Sequence, residues 1–396
     1  MKKNARALMV IWIAIIFVSL SCSPHQADDG LTFIVASDHR SHATEQYHSK
    51  EFTLGGFDAM KNVGQGSFMV LVGDLDPSQA TDNLVKKVFG EDYPWYFVVG
   101  NHDIEVDSNI QFFRNLNKGD RSLPRLVRKG PPGSEETTYS FDWNDVHLVV
   151  LNVYFDGKTD TGADGNIVPE LLEWLERDLQ QNKKKSIFVF GHEPIIPVLD
   201  LDNGTQRHLG NSLDQYADNS LEFQKLLLKY GVTAYISGHT HCISYANING
   251  LWLLSSGHIY GHEGDYTPEK LYSRILKEVE HGKRLGVDWK TAIGKLYRSE
   301  DKELKKFIFN LGLDPVKSYK DLTDSQTIFR LNEFYQNCQK GTSQVEKYST
   351  RFWEHTEWRR SSFLKITVNK ASVKVEIYRD KDFEGNYELR HTQLLK

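Results

Sequence analysis

Apolar residues fall along this chain in short, uninterrupted runs. LTFIVAS (31–37), FMVLVG (68–73), WYFVVG (95–100), VHLVVLN (146–152), IFVFG (187–191), VTAYISG (232–238) and LWLLSS (251–256) are each of strand length. Near-continuous apolarity over about six residues predicts strands covered on both faces. YSFDW (139–143), just ahead of VHLVVLN, reads as its hairpin partner. Between the runs lie stretches with helical spacing. VPELLEWLERDLQ (168–180) has Pro169 in its first turn and Leu172, Leu175 and Leu179 along one stripe. NSLEFQKLLLKYG (219–231) offers Asn219 as a cap, Glu222 three residues on and Gly231 as a stop. The pattern predicts an α/β layered domain with mixed sheets.

From 265 to 350 apolar residues thin out, charges rise, and segments such as PEKLYSRILKEVE (268–280) and ELKKFIFNLG (303–312) read as helices. Strand signals return at FLKITVN (363–369) and SVKVEIY (372–378), separated by Lys370 and Ala371 as a hairpin should be. The organisation expected is therefore a core over 31–264, a helical insertion over 265–350, and C-terminal strands over 351–396 that complete the core. No internal repeat or low-complexity tract interrupts it.

Composition narrows the partners. With 396 residues, 39% hydrophobic and 12% aromatic, the chain can bury a large core. A formal charge of −5 argues against a nucleic-acid-binding surface, which calls for a basic face. The N-terminus stands apart. Lys2, Lys3 and Arg6 precede an uncharged run from Ala7 to Leu20, the layout of an export signal and too short to favour a membrane span. The run ends in SLSC, and Cys22 resembles the lipidated cysteine of a bacterial lipoprotein lipobox, although Ser19 stands where that pattern prefers Leu. We therefore expect a signal peptide over 1–22, a polar tether over 23–30, and an exported protein anchored by lipid on Cys22 in the bacterial envelope, periplasmic or at the cell surface. The alternative is a plain signal peptide or uncleaved anchor in which Cys22 is incidental. Cys242 and Cys338 either pair or stay as buried thiols.

The chemistry gathers at strand ends. Ser37 leads into Asp38, Gly73 into Asp74, Gly100 into Asn101-His102-Asp103, Gly191 into His192, and Gly238 into His239-Thr240-His241. Ligand-capable side chains thus follow five strands at the end where open α/β sheets place their sites. Any one of these residues is explained by an ordinary turn; together, in one position relative to their strands, they predict a metal site.

In SDHR (37–40), GDLD (73–76), GNHD (100–103), GHEP (191–194) and GHTH (238–241) the chain resembles the calcineurin-like metallophosphoesterases over about 30–260. That family shows D-x-H, GDxxD, GNH[D/E], a His after a strand, and GHxH in this order. The resemblance implies a four-layer α/β/β/α sandwich of two mixed sheets and a dinuclear centre hydrolysing phosphomonoesters or phosphodiesters with a metal-bridging hydroxide. Carried over residue by residue, one metal takes Asp38, Asp74 and His241, and the other takes Asp74, Asn101, His192 and His239, with Asp74 as bridge. Mixed oxygen and nitrogen ligands suit Mn, Fe or Zn. His102 would steady the leaving oxygen as general acid.

Three departures mark this chain. Arg40 stands at the His of D-x-H, so either His39 or His42 replaces that ligand, or Arg40 holds a substrate phosphate, or the first metal site is weakened. In an extended strand end His39 would face away from the metal of Asp38. Pro77 stands at the last Asp of GDxxD, leaving Asp76 and Asp103 as candidates to orient His102. Pro77 also occupies the place of the purple acid phosphatases' Tyr ligand, so no iron–tyrosinate colour is expected. Among weaker candidates, His258 and His262 either approach the substrate or lie on a loop surface, and Asn152 and Tyr154 either line the cleft or do not. His208, in DNGTQRHLGN, reads as solvated; Phe352, Trp353 and Trp358 read as core. The leading expectation is a phosphoesterase acting on a small phosphoester; the alternative is a surface binding protein of the same fold with weakened catalysis.

Overall fold

The apolar runs become the inner strands of two sheets. In chain order the computed structural model contains β1 (Leu31–Ala36), α1 (Ser49–Asn62), β2 (Met69–Val72), α2 (Ser78–Phe89), β3 (Trp95–Val98), α3 (Asn101–Ile104), α4 (Asp107–Leu116), β4 (Leu126–Lys129), β5 (Tyr139–Trp143) and β6 (Val146–Val150). There follow α5 (Pro169–Gln181), β7 (Ser186–Phe190), β8 (Leu199–Asp200), β9 (Thr205–Gln206), a 3₁₀ turn (Leu213–Tyr216), α6 (Ala217–Lys229), β10 (Ala234–Ser237), β11 (Ile243–Ile248) and β12 (Leu251–Ser256). β13 (His355–Thr356), β14 (Ser362–Val368), β15 (Val373–Asp380) and β16 (Tyr387–Leu394) close the chain. The structure describes residues 30–40, 49–119, 122–200, 205–206, 208, 210–259, 355–356, 361–381 and 385–396. The expected signal peptide, most of the tether and the helical insertion over 265–350 lie outside them, as do Cys22, His42, His262, Cys338, Phe352, Trp353 and Trp358. Among the described residues no helix is long and apolar enough to cross a membrane.

One sheet has the order β16-β15-β14-β1-β2-β3 and the other β13-β11-β12-β10-β7-β6-β5-β4, with β8 and β9 as a separate ribbon. Both are mixed. β1, β2 and β3 run parallel, and β14 joins the other edge of β1 antiparallel, pairing Leu31 with Val368. In the second sheet β6, β7, β10 and β12 run parallel, while β5 pairs β6 antiparallel from Tyr139↔Val150 to Trp143↔Val146, the hairpin read from the sequence. β2, β3, β6, β7 and β10 are buried at every position, as strands covered on both faces must be. β15 instead alternates buried and half-buried residues, with one face toward the core.

Aromatic rings fasten the sheets face to face. Phe33 of β1 meets Phe188 of β7 at 5.5 Å, and Tyr96 of β3 stacks on Phe141 of β5 at 3.6 Å, both between ring centroids. Helices cover the outer faces. Trp95 of β3 donates its indole N–H to Asp82 of α2 (3.2 Å), and Trp174 of α5 donates to the Lys129 carbonyl of β4 (2.8 Å). The layers therefore run helix, sheet, sheet, helix. α5 buries Leu171, Trp174, Leu175 and Leu179, with Pro169 at its start where a missing N–H costs nothing. α6 differs from expectation at its beginning: it starts at Ala217, and Asn219 sits inside the first turn, donating to Asn166 Oδ1 (2.9 Å). Its end is as read, Gly231 taking a φ of 64° after Tyr230.

One polar cluster ties α5 to its sheet. Asp178 is buried and accepts from Ser140 Oγ (2.8 Å), Arg128 Nε (3.0 Å) and His147 Nε2 (2.8 Å), while His147 Nδ1 donates to Asp142 (2.7 Å). Burial pushes the His147 imidazole down, but Asp178 and Asp142 outweigh it and its pKa is raised. A His whose folded pKa is raised stabilises fully below its unfolded value and loses that contribution as pH climbs through the folded one. Stability measured by urea melts should therefore decline as pH rises from about 6.5 through the raised value. Asp178→Ala should flatten that slope and cost about 3–5 kcal/mol at pH 6, because it leaves the buried His147 cation, and the half-buried Arg128 beside it, without their shared anion.

Candidate metal centre

The loops leaving β1, β2, β3, β7 and β10 converge at one edge of the two sheets. Backbone bonds lace them together: Asp38 N–H to the Gly73 carbonyl (2.9 Å), His39 N–H to the Asp74 carbonyl (2.9 Å) and Gly238 N–H to the His192 carbonyl (2.9 Å). Asp38 (φ 54°), Asp74 (55°), His239 (65°) and His241 (59°) all take the left-handed conformation, which Asp and His tolerate better than bulkier residues but which still stores strain. The glycines preceding these residues are spatially required. A Cβ on Gly73 would strike the His192 ring, one on Gly100 the Asp74 backbone and carboxylate, and one on Gly238 the Asp38 carboxylate and Ser37.

Six of the predicted ligands meet there. His192 donates Nδ1–H to the Val72 carbonyl (2.8 Å), which aims Nε2 at Asp74 Oδ1 (3.4 Å) and Asn101 Oδ1 (3.2 Å). His239 is held the opposite way round. Its Nε2–H goes to the Asn211 carbonyl (3.1 Å), leaving Nδ1 at 3.1 Å from the same Asn101 oxygen. His241 Nε2 stands 3.1 Å from Asp38 Oδ1, and Asp38 Oδ2 accepts the His239 N–H (3.2 Å). Asp38, Asp74 and His192 bring donor atoms within 4.8 Å of one another, all buried. Ligands about 2.1 Å from a shared ion sit roughly this far apart. Imidazoles whose other N–H is fixed by a backbone carbonyl are the usual supports of a metal ligand.

The electrostatics point the same way. Burial pushes the Asp74 carboxyl up, but His192, His102 and Arg40 outweigh it and hold it well below the usual carboxylate range. Burial pushes His192 down, yet Asp74 and Asp38 lift it to about 10. His239 is driven well below the ordinary imidazole value by burial and then by His192. Two buried carboxylates that demand positive charge, with neutral nitrogen and amide oxygen beside them, form a donor set that fits divalent cations of the Mn, Fe or Zn type.

The remaining predicted residues separate. Asp103 does not orient His102. Its buried carboxylate accepts backbone N–H groups of Gly100 (2.8 Å), Leu75 (2.9 Å) and Asp74 (3.0 Å), stitching the ends of β2 and β3 together. Burial first, then Asp74 and Asp76, raise the Asp103 pKa well above the usual range; Asp76 is itself buried nearby. The carboxylate beside His102 is Glu105, whose Oε2 meets Nδ1 at 3.0 Å, while Arg40 Nη1 meets Nε2 at 2.7 Å. His39 is no ligand. It is buried edge-on against Phe57 at 5.1 Å, and burial lowers its pKa to about 3.

Several residues read differently from the sequence. The His208 ring lies over His239 at 4.1 Å instead of standing free in solvent. His258 is fully buried beside His241, 5.7 Å between rings, and not on a loop surface. Asn152 is structural, bonding Thr137 and the Asp160 carbonyl, whereas Tyr154 faces a cavity of about 370 Å³ next to Asn101 and His239. Glu193, Asn211 and Glu105 line that cavity and were not singled out, although Glu193 directly follows His192 and Glu105 stands three residues from His102. Cys242 is fully buried.

Comparison with known proteins places these residues in a family. Residues 31–243 match the model of the Calcineurin-like phosphoesterase family. Tartrate-resistant acid phosphatase type 5 of Rattus norvegicus is 26% identical over 228 residues, covering 54% of this chain and 66% of that protein. The Homo sapiens protein of the same name is 24% identical over 276 residues, covering 63% and 80%. The chain thus spans just under two thirds of the rat protein's length. Among solved structures, PhoD superposes with a TM-score of 0.50 at 10% identity, over 92% of this chain and 69% of that one, a likeness of fold.

Gly100→Ala tests the close approach that builds the site. Gly100 has a φ of −103°, which alanine adopts freely, so the harm falls on Asp74 and not on the turn. Calorimetric titration with Mn²⁺ should show affinity reduced by about 10–100-fold, with the circular dichroism spectrum of the fold retained.

Proposed function

This chain belongs to the calcineurin-like phosphoesterase family, and from that membership we propose that it is a metal-dependent hydrolase of phosphoric esters with a dinuclear centre. The observation that carries the proposal is the run of donor atoms around Asp38 and Asp74: His241 lies 3.1 Å from Asp38, Asp38, Asp74 and His192 lie within 4.8 Å of one another, and His192 and His239 stand 3.2 and 3.1 Å from the Asn101 oxygen. Asp38, Asp74 and His241 would hold one cation, and Asp74, Asn101, His192 and His239 the other. When bound, such cations polarise a phosphoryl oxygen and activate water for in-line attack.

The chain's own residues supply the rest. Asp103 fixes the Asp74 backbone, and the carbonyls of Val72 and Asn211 fix the two imidazoles that share Asn101. His102 Nε2 stands 3.8 Å from Asp74 Oδ2, placing the ring where a leaving oxygen would depart and need a proton. The cavity beside Tyr154 and Glu193 would receive the alcohol part of a small ester. A second reading, a binding protein of weakened catalysis, draws support from the Arg40–His102 bond, which engages the nitrogen an acid would use. We further propose that the domain works outside the cytoplasm, tethered through Cys22; the basic start, the uncharged run over 7–20 and SLSC support this.

Hydrolysis of a generic aryl phosphate with Mn²⁺ added tests the main reading. Activity should vanish on chelation and return with metal, and His102→Ala should lower kcat by about 10²–10⁴-fold while both cations stay bound. Two cations held with no turnover across a broad panel of mono- and diesters would favour the binder. For the tether, Cys22→Ala should move the protein from the membrane fraction to the soluble one.

A further inference from the structure

Arg40 stands within the centre without supplying a donor atom to a cation, its backbone and its guanidinium both tied to residues of the site. Its backbone is pinned to the central carboxylate residue, its N–H reaching the Asp74 carbonyl at 3.4 Å alongside that of His39 at 2.9 Å. It takes a φ of 44°, a conformation that a long side chain adopts at a cost and that surrounding structure must enforce. At its far end Nη1 is 2.7 Å from His102 Nε2, and the other nitrogen of that ring is 3.0 Å from Glu105. The ring thus stands between Glu105 and the guanidinium, whose charge is one of those acting on the Asp74 carboxyl.

We propose that Arg40 is a substrate-binding residue that selects phosphomonoesters, its guanidinium taking the third unesterified oxygen that a terminal phosphate has and a diester lacks. This rests on the reading of the cluster as a phosphoester-hydrolysing centre. A diester offers two unesterified oxygens and a single negative charge. A monoester near neutral pH offers three oxygens and close to two charges. The third oxygen needs a donor beyond the cations, and a planar guanidinium with several N–H groups is the side chain best shaped to bond phosphate oxygens in pairs. Because Arg is always charged, its contribution does not depend on proton loss elsewhere in the centre. His102, itself held at Nδ1 by Glu105, positions the fork next to Asp74.

The experiment uses the full chain loaded with Mn²⁺, as wild type, Arg40→Gln and Arg40→Lys. Binding of inorganic phosphate and of dimethyl phosphate is measured at pH 7.5, together with hydrolysis of p-nitrophenyl phosphate and methyl p-nitrophenyl phosphate. Wild type should prefer the dianion, and Arg40→Gln should weaken phosphate by about tenfold or more, the scale of a lost charge-assisted bond. Dimethyl phosphate binding should change little. The monoester should lose more than the diester, chiefly through KM; a change in kcat common to both esters would report the freed His102 nitrogen and not the third oxygen. Arg40→Lys should fall between, keeping the charge without the fork. Removing a positive charge beside Asp74 favours cation binding, so Mn²⁺ content should hold or rise, and weakened phosphate binding cannot be laid to lost metal. Equal losses on both anions, or none, would overturn the role of Arg40, as would absence of phosphate binding in the wild type. If neither ester is hydrolysed while the anions are still discriminated through Arg40, the binding role stands and the hydrolytic reading falls. If both esters are hydrolysed and Arg40→Gln matches wild type, the reverse holds.

Discussion

A carboxylate buried at position 74, at the seam between two sheets, sets the terms for everything around it. Buried charge is tolerated only where opposite charge and hydrogen bonds surround it. Asp74 has the His102 N–H on Oδ1 (3.0 Å), His192 at 3.4 Å, and Arg40 and His102 among the charges that act on it. Each requirement propagates outward. Gly100 must lack a side chain so that β3 can approach Asp74, Gly73 must leave room for the His192 ring, and Asp103 must turn inward to hold the three backbone N–H groups at the two strand ends.

Such a site is strained and densely charged, so it needs a rigid frame. The frame comes from strands apolar on both faces and from aromatic pairs such as Tyr96–Phe141 and Phe33–Phe188 that lock the sheets together. Left-handed backbone at Asp38, Asp74, His239 and His241 persists because ladders of parallel strands end immediately before it and loop-to-loop bonds follow immediately after. The placement of chemistry at strand termini is thus a consequence of stability: the core supplies the free energy that the site spends.

Much of this was legible in the sequence because it is local. Gly followed by Asp, Asn or His at the end of an apolar run encodes both the turn and the ligand, and the hairpin of β5 and β6 follows from the lengths of its two runs. What escaped depends on contacts that no local pattern records. Asp103 and Glu105 lie two residues apart, and only the short helix over 101–104 decides that the first turns in to the backbone while the second reaches the His102 ring. His208 lies in a polar loop, and its seat on His239 is set by the fold of that loop. The alternation of an extended strand, which placed His39, does not extend through this loop, because left-handed φ values at residues 38 and 40 end it. At α6 the cap signal at Asn219 was outranked by a pairing with Asn166 far away in sequence.

The most direct test of the central claim is anomalous scattering from crystals grown with Mn²⁺, recorded at the metal edge. Two neighbouring peaks are expected, one bounded by Asp38, Asp74 and His241, the other by Asp74, Asn101, His192 and His239, with the Asp74 carboxylate touching both. A single peak, peaks away from Asp74, or none at saturating Mn²⁺ would contradict it.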